Sequence, residues 1–262
     1  MQNSLSFDRA AGFYDATREL PEAVARRGIP AILEAAGPKA AMLEVGTGTG
    51  RISIPLLNGG ANVIGCDLSL KMMAVLQQKL RQARLVQADA CLLPFPSGRF
   101  QALITCHVMH LVGPWRAALK EYRRLLEPQG VYINARTEQV GKPSIGSQVE
   151  DHWKSFVQEH GASPRRPGVQ STEELHQELV EMGSSLRQVE VVHFTRTFSI
   201  DEVIQRIADR IDSPTWTIPD PILKASIDEV RAWTALHFRD LSTRFEEESA
   251  FILDICRFQS AR

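Results

Sequence analysis

The run Met42-Leu43-Glu44-Val45-Gly46-Thr47-Gly48-Thr49-Gly50-Arg51 constrains this chain more than any other part of it. An apolar stretch with one embedded acid meets three glycines at alternate positions. It reads as a buried strand, a tight turn and the start of a helix. Glycine takes positive φ without strain and lets a ligand approach with no Cβ in the way. A turn at a helix N-terminus also leaves N–H groups to meet a ligand's negative group. The glycines alone are equally compatible with a close strand–helix turn that binds nothing.

Further short β-rich runs follow at Asn62–Cys66, Arg84–Ala88, Ala102–Cys106, Val131–Ala135, Gln188–Phe194 and Phe251–Phe258, with Ala41–Val45 as the first. They are apolar with little alternation and are separated by helical patterns. That is the signature of a mostly parallel sheet covered on both faces, an α/β doubly wound architecture. The clearest helix is Trp115–Leu126, whose apolar residues Trp115, Ala118, Leu119, Tyr122 and Leu125 share one face. Leu70–Ala83, introduced by Ser69 as N-cap, is another. After Ala135 the rhythm changes, with helices expected at Val149–Glu159, Ser171–Glu181, Ser199–Arg210 and Ile222–Phe238. A single domain is expected, with a core at about 38–136, 186–198 and 250–259 and cap insertions at about 137–185 and 199–245.

Two further acids sharpen the site. Asp67 closes the second strand, 21 positions after Gly46, where a carboxylate can bridge two ribose hydroxyls. Asp89 closes the third. Open α/β sheets bind ligands at such strand ends. Glu44 is costly inside a strand unless backbone donors or a cationic ligand satisfy it. A nicotinamide dinucleotide is disfavoured, because its G-x-G-x-x-G fingerprint needs glycine where Arg51 stands.

Composition excludes several classes. The 262 residues carry a formal net charge of -1, and the pairs Arg26-Arg27, Arg123-Arg124 and Arg165-Arg166 are scattered, so no basic face suits nucleic acid. Cys66, Cys91, Cys106 and Cys256 lie far apart, which predicts free thiols, no structural metal and a reduced, cytoplasmic setting. No run has a signal peptide's character or the apolar length of a membrane span, so a soluble chain is expected. Oligomeric state leaves no trace in the sequence.

Leu43–Gly50, Gly65-Cys66-Asp67-Leu68-Ser69, Gln87-Ala88-Asp89-Ala90 and Leu93-Pro94-Phe95 together resemble the successive motifs of class I S-adenosylmethionine-dependent methyltransferases. Phe100–Thr105 and Glu121–Gly130 are similar to the ubiquinone/menaquinone-biosynthesis (type 11) subgroup, save that Gln129 stands where that signature usually has glycine. The likeness covers about residues 8–136 and fades afterwards. It implies a seven-stranded Rossmann-like sheet with helical cap insertions, S-adenosylmethionine as cofactor with S-adenosylhomocysteine as product, and a small-molecule acceptor.

By position, the resemblance implies that Glu44 and the loop Gly46, Thr47, Gly48 and Gly50 hold the methionine end and Asp67 the ribose. Leu68 and Met72 would sandwich the adenine, with Asp89 and Ala90 at its polar edge. Tyr14 would cover the sulfonium, Arg18 pair with the cofactor's carboxylate, and His107 lie beside the cofactor. His110 would face the acceptor as a candidate catalytic proton carrier. The insertions, with Trp153, Phe156, Trp216, Trp233 and Phe238, would cap the cofactor and shape an acceptor pocket, unless these rings are simply core. A non-catalytic cofactor-binding protein on the same fold is the alternative, and a dehydrogenase a remote third.

Overall fold

The computed structural model describes residues 4–242 and 244–258. Seven strands form one sheet: β1 Ala41–Val45, β2 Asn62–Asp67, β3 Arg84–Gln87, β4 Phe100–Cys106, β5 Leu126–Gln139, β6 Ser184–Ser199 and β7 Arg244–Phe258. Their order is β3-β2-β1-β4-β5-β7-β6. The pairs β1–β2, β1–β4, β2–β3 and β4–β5 are parallel. β7 runs against β5, since Asn134 meets Asp254 while Val140 meets Glu248. The chain leaves β1 for β2 on one side and reaches β4 on the other. The C-terminal end of β1 is therefore the switch point where such sheets bind ligands, and the glycine turn sits there.

The described helices are α1 Tyr14–Thr17, α2 Ile29–Ala36, α3 Ser53–Asn58, α4 Leu70–Lys79, α5 Trp115–Leu125, α6 Ile145–Glu159, α7 Thr172–Glu181, α8 Ile200–Ala208 and α9 Asp220–His237. None of the described helices is long and apolar enough to cross a membrane.

Two compact units emerge. The first gathers the described parts of Met1–Thr137, Pro167–Val192 and Phe251–Arg262; the second comprises Glu138–Arg166 and His193–Ala250. In the first, α5 buries the predicted face (Trp115, Ala118, Leu119, Tyr122 and Leu125) in one cluster with Leu43, Val45, Leu103 and Tyr132. Helix α7 belongs here as well, through Leu175 and Leu179. Its sequence suggested a cap helix, because an apolar i, i+4 pair does not say which core it enters. In the second unit, Val149, Trp153 and Val157 of α6 pack with Val203, Ile204 and Ile207 of α8 and with Leu223 and Val230 of α9. Trp153 is core: it is buried, and its Nε1 donates to Ser226 Oγ at 3.0 Å. Strands β6 and β7 are roughly twice as long as the apolar runs suggested. The outer half of β7, Arg244-Phe245-Glu246-Glu247-Glu248, is charged at four of five positions, which hides a strand from an apolar search.

One carboxylate, Asp254, is fully buried in the first unit. Arg136 Nη1 and Asn134 Nδ2 donate to its Oδ2, and His176 Nε2 lies 3.0 Å from its Oδ1, so β5, β7 and α7 meet at one charge. Removing one partner of such a pair strands the other. Arg136→Met is expected to cost about 3–5 kcal/mol in chemical denaturation. The exposed Leu236→Ala should change stability by less than about 0.5 kcal/mol. Equal effects would show that Asp254 is not held by Arg136.

Candidate functional site

Beyond β1 the chain turns back through Gly46, Gly48 and Gly50, with φ of 78°, 55° and 89°. All three are left-handed positions, and two are also crowded. A Cβ on Gly46 would lie 2.2 Å from Val108 Cγ2, and one on Gly50 would lie 2.3 Å from Leu76 Cδ1. No side chain fits at either point. The close approach of Val108 brings the segment after β4, including His107, against the turn.

The turn is bonded internally. Gly46 N and Thr47 N donate to Cys66 O at 2.8 and 3.0 Å, and Gly50 N donates to Thr47 O at 3.0 Å. Gly48 N donates to Asp67 Oδ2 at 2.8 Å. The N–H groups of Gly46, Thr47, Gly48 and Gly50 are thus engaged by β2 and by the turn itself, and are not among those the sequence reading left for a ligand's negative group.

Glu44 is almost wholly buried at 1% exposure. Ser53 Oγ donates to its Oε2, as does Thr47 Oγ1 at 3.2 Å. Two hydroxyls and the backbone of Ser53 therefore hold this acid, where the sequence suggested backbone donors or a cation. Burial pushes its carboxyl up to about 8, and the two hydroxyls pull it down only in part.

Asp67 receives Ser69 N at 2.8 Å on Oδ1, and burial raises its carboxyl as well. Both of its oxygens thus have a backbone donor and keep lone pairs for further hydroxyls. Ser69 caps α4 by accepting Met72 N at 3.1 Å, and it donates to Asp8 Oδ1 at 2.5 Å. Leu68 is half-buried and Met72 buried. The Met72 methyl would lie 3.4 Å from a Cβ on Gly48. Ala88 N donates to Asp67 O at 3.1 Å, which brings the exit of β3 beside that of β2. There Asp89 Oδ1 accepts Cys91 N at 2.8 Å, and Ala90 is buried.

The N-terminal segment is tied to this place from both sides of α1. Asp8 reaches Ser69, while Asp15 accepts Thr49 Oγ1 at 2.7 Å and pairs with Lys79 at 2.5 Å. Tyr14 stands between Phe7, edge-on at 6.1 Å, and Arg18, whose guanidinium lies 5.2 Å from the ring centroid. Ser53 and Lys79 carried no sequence signal, since their contacts span 9 and 30 residues.

His107 adopts φ 56°, a strained left-handed position for a non-glycine residue. Its Nε2 accepts Thr137 N at 3.2 Å, and its own N–H donates to Ala135 O at 3.2 Å. His110 lies further along, in the turn Met109–Leu111, and its carbonyl accepts Gly168 N at 3.0 Å. Gly168 escaped the sequence reading: a Cβ there would lie 2.1 Å from Met109 O. The site residues from Glu44 to His107 are thus drawn to the ends of β1, β2, β3 and β4, with His110 one turn beyond. Among the described residues no three His, Cys, Asp or Glu side chains gather as metal ligands.

The family described as "Methyltransferase domain" matches residues 43–134. Demethylmenaquinone methyltransferase of Beutenbergia cavernae is 34% identical over 132 residues, covering 49% of this chain and 55% of that one. Its counterpart from Thermus thermophilus is 35% identical over 111 residues, covering 40% and 50%. The chain therefore spans about half the length of these relatives. The crystal structure of YcgJ from Bacillus subtilis shares the fold, with TM-score 0.60 at 17% identity over 89% of this chain and 98% of that one. So does the [4+2]-cyclase SpnF, with TM-score 0.56 at 14% identity over 100% and 89%.

The raised carboxyl of Glu44 has a consequence with a definite sign. Between its ordinary value of 4.5 and about 8, the folded chain keeps a proton that the unfolded chain has lost. This contribution to stability is whole below pH 4.5 and lost as pH rises through about 8. Denaturation of the ligand-free protein should show stability falling with a slope on the order of 1 kcal/mol per pH unit from this group. Glu44→Gln should flatten that slope. Identical pH profiles would show that Glu44 is ionised when folded.

Proposed function

We propose that the chain transfers the methyl group of S-adenosylmethionine to a small organic acceptor. The reading is carried by one observation: a glycine turn at the switch point whose Gly48 N–H binds Asp67, so that loop and ribose acid form one unit. The matched domain and the methyltransferase relatives support it.

In this reading Glu44 and the loop Gly46, Thr47, Gly48 and Gly50 receive the methionine end of the cofactor. Asp67 takes the ribose hydroxyls on the lone pairs that Gly48 and Ser69 leave. Leu68 and Met72 flank the adenine, with Asp89 and Ala90 at its polar edge. Tyr14 covers the sulfonium, held by Phe7 and Arg18, and His107 lines the methionine side. The cofactor supplies an activated methyl group on a sulfonium. The chain's task is to hold the acceptor atom in line and exclude water, and orientation alone contributes several kcal/mol. His110 is the candidate acceptor of a proton released by the substrate.

The matched relatives are demethylmenaquinone methyltransferases, which makes quinone-type rings the first acceptors to test. A cytoplasmic setting suits four unpaired thiols.

Calorimetry should show S-adenosylmethionine and S-adenosylhomocysteine binding while NAD does not. Asp67→Asn should weaken both by about tenfold or more, the range for a lost charge-assisted hydrogen bond. Label from methyl-labelled cofactor should then appear in one member of a small-molecule panel that includes demethylated quinones. Absent cofactor binding would sink the reading. Binding with no transfer to any pool would favour a non-catalytic role.

A further inference from the structure

The buried carboxylate of Asp254 is held more closely than a structural ion pair requires. Its Oδ2 accepts from Arg136 Nη1 and, at 3.0 Å, from Asn134 Nδ2. Asn134 is itself fixed, because its Oδ1 accepts Thr105 Oγ1 at 3.1 Å and that hydroxyl meets Tyr132 OH at 2.8 Å. One oxygen is left. Asp254 Oδ1 is buried and faces His176 Nε2 at 3.0 Å, with neither atom in an aligned hydrogen bond. The His176 side chain is 23% exposed although Nε2 is enclosed, so it opens elsewhere than toward Asp254.

The cluster lies within the first unit, at the end of the sheet where open α/β folds bind ligands. Ala135 pairs with Cys106 at the end of β4, so Arg136 stands level with His107, and Thr137 N donates to His107 Nε2. The segment entering α7 is tied to the same end, since Gly168 N and Val169 N donate to the carbonyls of His110 and Met109. His176 therefore rides in the N-terminal half of a helix that starts beside the turn after β4. Arg136 already balances the charge of Asp254, so His176 need not be a cation to stand there. A neutral imidazole that turns its Nε2–H to Asp254 keeps a lone pair on Nδ1. That is the arrangement of an oriented base: a carboxylate fixed from behind, an imidazole held by it and one nitrogen to spare. The charged groups around the ring are Asp254 from β7, Arg136 from β5 and, on its own helix, the exposed Glu173, which interacts electrostatically with His176 and Arg136.

We propose that His176 accepts the proton of an ionisable ring hydroxyl, phenol or enol, on the methyl acceptor, with Asp254 as its positioning residue. The assignment rests on the methyl-transfer reading above and gives His176 the role for which His110 was the candidate. The O–H bond of the acceptor breaks and its proton goes to Nδ1. The electron pair left on oxygen forms the new bond to the methyl carbon, and the pair of the broken S–C bond stays on sulfur as a neutral thioether. Charge balances, because the positive charge lost from the sulfonium reappears on an imidazolium whose other N–H faces Asp254. An imidazole matches the acidity of a phenol or enol far better than that of an alkyl alcohol, which sets the substrate class.

The test uses the full chain saturated with S-adenosylhomocysteine and two probes, 4-nitrophenol and its methyl ether 4-nitroanisole. They share the ring and the nitro group, and only the first has a proton to give. Calorimetry should show the phenol preferred by about tenfold or more, the range for a charge-assisted hydrogen bond. Slightly on the acid side of the free probe's own ionisation, the bound phenol should show the absorbance band of its phenolate. His176→Gln keeps a donor for Asp254 and removes the base. The preference should then fall below about 3-fold and the band should vanish, with thermal unfolding checking that the variant is folded. His176→Asn substitutes where His176→Gln is not. If His176 is only structural, the substitution lowers the unfolding temperature and leaves both probe signals, which overturns the assignment. It is equally overturned if the loaded wild-type protein binds neither probe, or binds the phenol without its phenolate band. Failure to bind S-adenosylhomocysteine would instead overturn the cofactor reading, which keeps the two outcomes distinct.

Discussion

The site depends on one steric constraint, the meeting of Gly46 with Val108. At 2.2 Å from a would-be Cβ, the segment after β4 closes on the turn after β1 as tightly as backbone permits. Next to it, His107 takes a left-handed conformation that few side chains tolerate. The two N–H groups bonded to Cys66 O fix the turn from the other side, against β2. Both neighbours of β1 are thus tied to the same five residues.

That rigidity has an electrostatic counterpart. The turn uses its own N–H groups for structure, and the acid behind it is kept neutral near pH 7 by burial. Glu44 and Asp67 come from neighbouring parallel strands and are aligned by the sheet. The N-terminal segment is held by the same economy of short polar contacts, with Asp8 on Ser69 and Asp15 on Thr49 and Lys79.

The relatives match the part of the chain that forms this framework, and the match fades where the second unit begins. A [4+2]-cyclase shares the fold at 14% identity, so the architecture by itself does not select a reaction. The second unit has its own core around Trp153 and lies outside the matched segment.

By itself the sequence determined the strand–turn–helix that begins at residue 41, the mostly parallel character of the sheet and the acids at the early strand ends. Each of these is encoded locally: glycines at positive φ, apolar runs of strand length, an N-cap at Ser69. The α5 face was legible too, because a helical period of apolar residues needs no knowledge of its partner. The tertiary structure decided what local signals cannot carry. It engaged the N–H groups of Gly46, Thr47, Gly48 and Gly50 with Cys66, Asp67 and Thr47, supplied Ser53 to Glu44 and sent α7 to the first core. Each of these is a pairing across sequence distance or a competition for one donor, and the outcome depends on which neighbour the fold brings first.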